Sequence, residues 1–317
     1  MDNTNGINIK KKWNLSDIPD LTNKIVIVTG ANSGIGFEAS KALASKNASV
    51  IMACRNQEKG LRAVEIIKQE LPHASLKVME LDLADLSLVG EFAVKFINQN
   101  KQLDILLNNA GIMQTPQMQT KNGFELQLGT NHLGHFALTG LLLDLLVETK
   151  DSRVITLSSI AHRMGKIDFN DIMLEKNYSG MQAYGNSKLA NLLFAYEFQR
   201  RLEKEHKSTI SVAAHPGYSN TNLQQNGPRL GGRRFFYWFY KLGNRLAAQS
   251  AEKGVLPILC AATCRAIRGS DYIGPNRLFE SRGSPKKVRS NNESYDEETA
   301  RKLWKMSEEL TGIIYFG

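Results

Sequence analysis

The sequence predicts an α/β fold in which a doubly wound parallel sheet of seven strands carries helices on both faces. Apolar, β-branched runs alternate with segments of helical period from residue 24 onward, as in strands joined by helical crossovers. A glycine-rich turn joins the first strand to the first helix. A hydrophobic content of 42% and a charged content of 22% are typical of a globular protein and exclude fibrous and disordered classes.

The strand and helix boundaries follow from the apolar runs and from their period. The predicted strands are Lys24–Thr29, Ser49–Ala53, Leu76–Glu80, Asp104–Leu107, Arg153–Ser158, Thr209–Ala214 and a last one near Tyr272. The predicted helices are Gly34–Lys46, Gln57–Glu70, Ser87–Asn100, Asn131–Glu148, Ala183–His206, Gln249–Arg268 and Glu297–Leu310.

The chain reads as a single domain, residues 21–317, that follows an N-terminal extension, residues 1–20. Two segments, 160–182 and 220–245, interrupt the alternation of strands and helices. Insertions after the carboxyl ends of strands lie over the ligand crevice of such sheets, so both are candidate substrate walls. We assign a substrate lid to about residues 220–248. The polar segment 284–299 is expected to be a surface excursion.

Neither a secretory signal nor a membrane span is evident, so we expect a cytoplasmic protein. The net charge of +9 is concentrated in residues 220–290, which hold thirteen Lys or Arg and three acidic residues. This excess fits a phosphate-bearing cofactor, an acidic substrate or an anionic membrane surface, and equally a solvated surface. It lacks any nucleic-acid-reading motif, so we expect no nucleic-acid partner. Cys260 and Cys264 read as core thiols, and no metal site is expected.

The glycine-rich turn after the first strand predicts a dinucleotide site. Glycines permit positive φ and close approach of the backbone, and free N–H groups at a helix start attract pyrophosphate. The spacing is G-x-x-x-G-x-G rather than G-x-G-x-x-G, and a merely structural turn is the alternative. The residues predicted to contact the cofactor here are Gly30, Asn32, Ser33, Gly34, Ile35 and Gly36.

The end of the second strand predicts NADP(H) rather than NAD(H). An NAD site would carry an acidic residue about 20 positions past the glycines to bond the ribose 2′-hydroxyl. This chain has Arg55 and Asn56 instead, and Arg55 can pair with a 2′-phosphate in a bidentate manner. A surface arginine that merely follows a strand is the alternative.

Short motifs after the third and fourth strands extend the predicted cofactor site. Asp82 can accept a hydrogen bond from the adenine amino group, and Leu83 can supply apolar contact. Asn109, Ala110 and Gly111 are small enough for the backbone to lie against a ribose.

Tyr184 and Lys188 lie four positions apart on a predicted helix, so both project from one face. An ammonium about 4 Å from a phenol favours phenolate by roughly 4 kcal/mol at an effective dielectric of 20. We therefore expect Lys188 to lower the pKa of Tyr184, as an acid–base role requires. Tyr237 and Lys241 repeat the spacing, but no serine-bearing strand precedes them closely.

Ser159, at the end of the fifth strand, can orient a substrate carbonyl, and Ser158 is the competing choice, because only one of them should face the crevice. Asn131 starts a predicted helix, where it is either an N-cap or a holder of a water beside Lys188. Four histidines are read as packing or surface residues: His132, His135, His162 and His215.

Together these motifs and His215-Pro216-Gly217 resemble the short-chain dehydrogenase/reductase family, over roughly residues 20–275. The segments Asn131–Phe136 and Ser158–His162 and the long interval before Tyr184 are similar to its retinol-dehydrogenase-like branch, which includes protochlorophyllide-reductase-like proteins. The resemblance implies a Rossmann-type fold and a nicotinamide cofactor. It implies a catalytic tetrad of Asn131, Ser159, Tyr184 and Lys188. It also places Pro216, Gly217 and Thr221 near the nicotinamide and the pyrophosphate.

The resemblance implies an oxidoreductase that moves a hydride between NADP(H) and a carbonyl or alcohol. An aromatic stretch, residues 235–240, lies in the region that forms the family's substrate lid, which favours a hydrophobic aldehyde or ketone. Membrane-bound retinol dehydrogenases carry a hydrophobic N-terminal anchor that this chain is expected to lack, which argues against retinoid. A regulatory or scaffold protein that binds NADP(H) without turnover is the alternative. Peripheral membrane contact and a homo-oligomer stay open.

Overall fold

A computed structural model describes residues 8–218 and 250–316 of the chain. Its sheet contains eight strands in the order β3-β2-β1-β4-β5-β6-β7-β8. The strands are β1 Ile25–Thr29, β2 Ser49–Cys54, β3 Leu76–Glu80, β4 Ile105–Asn108, β5 Arg153–Leu157, β6 Ile210–Ala214, β7 Tyr272–Arg277 and β8 Arg282–Lys287. Each pairs in parallel with its neighbours except β8, which is antiparallel to β7. The predicted single-domain, doubly wound fold is confirmed.

The helices connect these strands and cover both faces of the sheet. They are α1 Gly34–Ala44, α2 Gln57–Glu70, α3 Leu86–Gln99, α4 Leu126–Leu128, α5 Gly134–Leu141, α6 Leu143–Glu148, α7 Gly180–Lys204, α8 Ala251–Gly254, α9 Leu256–Thr263 and α10 Glu297–Thr311. A π-helical segment, Gly129–Leu133, joins α4 to α5. Short 3-10 turns occur at Leu15–Asp17, Ile160–Met164 and Asn292–Tyr295. No helix in the described ranges is long and apolar enough to cross a bilayer.

The sheet separates two hydrophobic clusters, as expected for parallel strands covered on both faces. Along β1, Val26 and Val28 enter one cluster, whereas Ile27 enters the other. Trp13, from the segment assigned as an N-terminal extension, is 3% exposed and packs in the first cluster. Residues 8–20 therefore contribute to the core of the domain.

The strand order reverses at β1, which pairs with β2 on one side and with β4 on the other. In open α/β sheets, ligands bind in the crevice outside the carboxyl ends of the strands at such a switch point. The fold thus fixes where a site must lie before any side chain is considered.

The strand β8 was not expected, because the sequence predicts seven strands and a surface excursion over residues 284–299. Its sequence, RGSPKK, is polar and contains Pro285, so it lacks a strand signal. Proline is tolerated at the edge of a sheet, where its missing N–H faces solvent. The strand forms because it pairs in antiparallel with β7, and the sequence of β8 alone does not predict this pairing.

The C-terminal helix α10 is held by Trp304, which is 2% exposed and stacks on Phe194 at 5.6 Å between ring centroids. We expect Trp304→Ala to lower the free energy of unfolding by about 3–5 kcal/mol, because it removes a large buried side chain. Ile314→Ala, at a side chain that is 70% exposed, should change stability by less than about 0.5 kcal/mol. Urea denaturation measures both, and equal effects would contradict the inferred docking of α10.

Candidate active site

The carboxyl edge of the sheet collects the residues that the sequence singles out, as the switch point requires. The glycine turn follows β1, Arg55 follows β2 and Asp82 follows β3. Asn109 follows β4 and Ser159 follows β5. Pro216 and Gly217 follow β6, whereas Thr221 and the assigned lid, residues 220–248, lie outside the described residues, as do Tyr237 and Lys241.

The glycine turn is compact because its backbone closes on itself. Gly30 and Gly34 have φ of 66° and 57°. A Cβ on Gly36 would lie 2.4 Å from the Gly30 carbonyl oxygen and 2.6 Å from the Asn109 side-chain nitrogen. Ser33 precedes α1 in an extended conformation and makes no side-chain capping bond. The first N–H groups of α1 therefore remain available to an anion.

Two further residues of the turn differ in exposure. Ile35 is 7% exposed and packs in the hydrophobic core, so only its backbone can take part in ligand binding. Asn32 is half-buried at the mouth of the turn.

Thr29, the last residue of β1, ties the glycine turn to the segment after β4. Its hydroxyl oxygen accepts hydrogen bonds from the N–H groups of Asn109 and Ala110, each at 2.9 Å. The Asn109 side-chain amide donates to the Thr29 carbonyl at 2.6 Å. Both segments are thereby fixed against each other at the switch point.

Arg55 and Asn56, after β2, occupy different environments. Arg55 is exposed and makes neither an ion pair nor a hydrogen bond within residues 8–218 and 250–316. Asn56 is the N-cap of α2, and its side chain accepts from the N–H of Lys59 at 2.8 Å. Arg55 is thus available to bind an anionic ligand, whereas the Asn56 side chain caps helix α2.

The loop after β3 lies close to α5. The Asp82 carboxylate accepts from the N–H of Ala84 at 3.0 Å and is half-buried. Leu83 is 6% exposed, and its carbonyl oxygen would lie 2.4 Å from a Cβ on Gly134. The backbone of this loop is therefore held rigidly against the helix that carries the π segment.

Tyr184 and Lys188 lie on one face of α7, as their spacing predicts, and are 6% and 3% exposed. The Lys188 Nζ atom lies 5.7 Å from the centroid of the Tyr184 ring. It donates to the Leu157 carbonyl oxygen at the end of β5, at 3.1 Å. Burial lowers the pKa of Lys188 to about 8, because a low-dielectric environment disfavours the ammonium.

The structure separates the two serines at the end of β5. The Ser158 hydroxyl donates to the carbonyl oxygen of Lys188 at 2.9 Å and is buried. The Ser159 side chain forms a hydrogen bond with Tyr184 and accepts from the N–H of Ala161 at 3.2 Å. Ser159 therefore faces the phenol, and Ser158 fastens α7 to the sheet.

The pKa of Tyr184 does not follow the sequence prediction. Burial raises it to about 12, and the hydrogen bond with Ser159 acts in the opposite direction. The expected lowering by Lys188 does not occur in this state, because the ammonium points to the Leu157 carbonyl oxygen and the desolvation of the phenolate dominates.

Asn131 lies inside the π-helical segment, so its interpretation as an N-cap is wrong: the helical run begins at Leu126. Its side-chain oxygen accepts from the Ile112 N–H at 2.8 Å, and its amide donates to the Ile112 carbonyl at 3.0 Å. A Cβ on Gly111 would lie 3.1 Å from the Asn131 side-chain oxygen and 3.5 Å from the Lys188 Nζ. Asn131, Gly111 and Lys188 therefore form one cluster.

Sequence reasoning missed the contribution of the four histidines read as packing or surface residues, which are all buried. The His162 ring contacts the carbonyl oxygen of Ser159 at 2.6 Å, and the Gly217 N–H donates to the His215 ring at 3.2 Å. His135 contacts the carbonyl oxygen of Asn131 at 3.0 Å. Each of these three histidines lies one to four residues from a predicted site residue, and that proximity was the signal available in the sequence. His132, next to Asn131, instead contacts Ser307 on α10 and interacts with Asn191 on α7.

The buried ammonium generates a stability prediction. In the unfolded chain Lys188 regains its ordinary pKa of 10.5, so between about pH 8 and 10.5 the unfolded state binds a proton that the folded state lacks. Stability should therefore rise with pH through this window. Lys188→Met should be more stable than the wild type at neutral pH by about 1–3 kcal/mol, and this difference should shrink towards pH 10.

Urea denaturation between about pH 7 and 10 measures this difference. Asn191 still donates to the Leu157 carbonyl at 2.9 Å in the variant, so that oxygen keeps a partner. Lys305→Met, at a side chain 79% exposed, should match the wild type within about 0.5 kcal/mol. A loss of stability in Lys188→Met that is constant with pH would contradict the inferred burial cost.

Known proteins show the same arrangement of sequence and fold. The sequence model described as short chain dehydrogenase matches residues 24–229. Human retinol dehydrogenase 11 is 37% identical over 293 residues, which cover 92% of this chain and 87% of that protein. Mouse retinol dehydrogenase 13 is 40% identical over 301 residues, with 92% and 84% covered. A crystal structure of an uncharacterized protein from Mycobacterium paratuberculosis superposes with a TM-score of 0.79 at 39% identity, and covers 96% of this chain and 99% of its own. This chain therefore belongs to the short-chain dehydrogenase family, in its retinol-dehydrogenase-like branch.

Proposed function

We propose that this protein is an NADP(H)-dependent reductase of hydrophobic aldehydes or ketones, with Tyr184 as the proton donor. Membership of the family makes it an oxidoreductase of the alcohol–carbonyl pair with a nicotinamide cofactor. The observation that carries the finer proposal is the pairing of the half-buried Ser159 with the buried Tyr184 and Lys188 at the carboxyl edge of the sheet.

The residues at the carboxyl edge fit a dinucleotide phosphate. The uncapped start of α1 offers backbone N–H groups to pyrophosphate, and a side chain at Gly36 would clash with the Gly30 carbonyl oxygen that closes the turn. Arg55, which lacks an ion-pair partner among the described residues, suits a 2′-phosphate. The half-buried Asp82 and the Asn109–Gly111 segment would hold the adenosine and ribose portions. When bound, the nicotinamide ring supplies the hydride in reduction or accepts it in oxidation.

The chain's own groups handle the proton. A phenol whose pKa is raised to about 12 holds its proton across neutral pH, so Tyr184 is ready to donate it to the oxygen of a carbonyl substrate. Ser159, hydrogen-bonded to that phenol, is placed to donate to the same oxygen as negative charge develops on it. Lys188, whose pKa is near 8, carries a positive charge at neutral pH that stabilises the phenolate left behind.

At neutral pH these charge states supply the protonated phenol that the reduction step consumes. Oxidation needs Tyr184 as a base, and a raised pKa makes the phenolate scarce. Reduction needs the protonated form, which burial favours.

A hydrophobic substrate is supported by exposed apolar side chains beside the site. Arg163, shortly after Ser159, pairs with Glu280 at 3.0 Å. Glu280 adjoins Leu278 and Phe279, which are 53% and 93% exposed. The names of the relatives, retinol dehydrogenases 11 and 13, support the same class of substrate.

Tyr184→Phe tests the catalytic assignment. It removes the proton donor and leaves the ring, so we expect kcat for NADPH-dependent carbonyl reduction to fall about 10²- to 10⁴-fold with NADPH binding retained. Tyr196→Phe is the matched control, because Tyr196 is buried on the same helix and its hydroxyl bonds to Ser290 at 2.9 Å. Steady-state rates and fluorescence titration of NADPH provide the readouts. Comparable activity of both variants would refute the role of Tyr184. Tight NADPH binding without turnover of any carbonyl would favour the regulatory alternative.

Arg55→Asp tests the cofactor. Loss of a charge-assisted pair costs about 1.5–3 kcal/mol, so the Kd for NADPH should rise about 10- to 150-fold and that for NADH less than about threefold. Arg62→Asp, an equal charge change on the exposed face of α2, should leave both Kd values within about threefold. Equal weakening of NADPH and NADH by Arg55→Asp would refute the preference for NADP(H).

A further inference from the structure

The ring of His135 bridges two segments of the active-site crevice. It lies one turn after Asn131 and is 1% exposed. Its Nδ1 atom lies 3.0 Å from the carbonyl oxygen of Asn131, and its Nε2 atom lies 2.9 Å from the hydroxyl oxygen of Thr29. Thr29 lies 106 positions earlier in the chain, so the contact joins β1 to α5, the helix that follows the π segment.

Hydrogen-bond accounting fixes the tautomer of this ring. A carbonyl oxygen only accepts, so Nδ1 carries the proton towards Asn131. The Thr29 hydroxyl oxygen accepts from Asn109 and Ala110, which fills both of its lone pairs. Its own hydrogen is directed at Nε2, which is nearer, at 2.9 Å, than the Leu107 carbonyl oxygen at 3.2 Å. A proton on Nε2 would point at the Thr29 hydroxyl oxygen, which has no free lone pair to accept it.

The surroundings of His135 also favour the neutral ring. Burial lowers the pKa of His135 to about 3, and the Asn131 carbonyl acts in the opposite direction. The ammonium of Lys188, and His132 when it is protonated, lower it further. Electrostatics and hydrogen-bond geometry therefore select the same form of the ring.

The hydrogen bonds form one chain with a common direction. The N–H groups of Asn109 and Ala110 donate to the Thr29 hydroxyl, which donates to His135, which donates to the Asn131 carbonyl. Bonds in such chains polarise and strengthen one another. The chain starts in the segment that faces the cofactor crevice and ends at the residue that lies beside Gly111 and Lys188.

We propose that His135, held as the neutral Nδ1–H tautomer, is a positioning residue that couples the Asn109–Ala110 segment to Asn131 and Lys188. This role rests on the proposed function. The Asn131 side-chain amide bonds both the N–H and the carbonyl of Ile112. A shift of the Asn131 backbone would therefore also displace Ile112, which follows Gly111 at the crevice. Misplacement by about 1 Å can lower a rate about 10²-fold, which sets the scale of the expected effect.

The tautomer is tested without any measurement of activity. A long-range ¹H–¹⁵N correlation spectrum of the full chain, assigned by comparison with His135→Asn, reports which ring nitrogen is protonated. We expect the Nδ1–H form, with no change down to about pH 5. An Nε2–H ring, or a ring that titrates near its ordinary pKa of 6.5, would overturn the proposal even if the enzyme is active.

The positioning role is tested by His135→Leu, His135→Asn and the control His132→Leu. His132 is buried at the neighbouring turn of the same helical run and interacts with Ser307 and Asn191 rather than with Thr29, so its loss reports the cost of removing a buried, hydrogen-bonded ring that lies outside the chain of bonds from Thr29 to Asn131. His135→Leu should lower kcat about 10- to 100-fold with KM and the Kd of NADPH within about threefold, and His132→Leu should leave kcat within about threefold.

Asparagine can keep the donor to the Asn131 carbonyl, so His135→Asn should recover much of the lost kcat. Equal losses of kcat in His135→Leu and His132→Leu would show that His135 only fills space and would overturn the proposal. An inactive wild-type protein that retains the Nδ1–H ring would instead refute the proposed function, so the two failures are distinguishable.

Discussion

The burial of an ammonium and a phenol at the carboxyl edge of the sheet is the constraint on which the site depends. Lys188 and Tyr184 are 3% and 6% exposed. Desolvation lowers the pKa of Lys188 and raises the pKa of Tyr184, and both shifts favour the neutral form of the group. A buried ammonium needs a fixed acceptor, and the carbonyl of Leu157 provides it because β5 ends there. Ser158 fastens the same turn of α7 from the other side. The end of β5 therefore sets the position of α7.

The polar groups around this pair are held by bonds that leave little freedom. Asn131 holds the backbone of Ile112 and also donates to the Ser187 hydroxyl on α7, at 2.9 Å. The π segment that carries Asn131 inserts an extra residue into the helical turn, which is costly and recurs at functional sites. The π segment allows the side-chain amide of Asn131 to reach both the loop that follows β4 and helix α7.

The sequence predicts the local features of this site well. The spacing of Tyr184 and Lys188 places both on one face because helical geometry is set by the chain itself. The sequence predicts the glycine turn because the backbone at position 36 lies so close to the Gly30 carbonyl oxygen that only glycine fits there. The doubly wound fold followed from the alternation of strands and helices.

Features set by distant parts of the chain were not predictable from local pattern. The strand β8 is polar and pairs only because β7 offers an edge. The raised pKa of Tyr184 depends on how completely several elements exclude water, which spacing alone does not reveal. The contact of His135 with Thr29 crosses 106 positions, so no helical or strand period signals it.

Neutral imidazoles suit the support of a site that contains a buried cation. An ammonium such as Lys188 disfavours any second positive charge nearby, yet the backbone carbonyls of Asn131 and Ser159 still require donors. A neutral histidine offers one donor and one acceptor on opposite sides of a rigid ring, so it satisfies two distant groups without adding charge. A lysine or arginine in place of His135 would add a cation, and a leucine would remove both hydrogen bonds of the ring. The neutral ring of His135 thus supports Asn131 without adding a charge beside the buried Lys188.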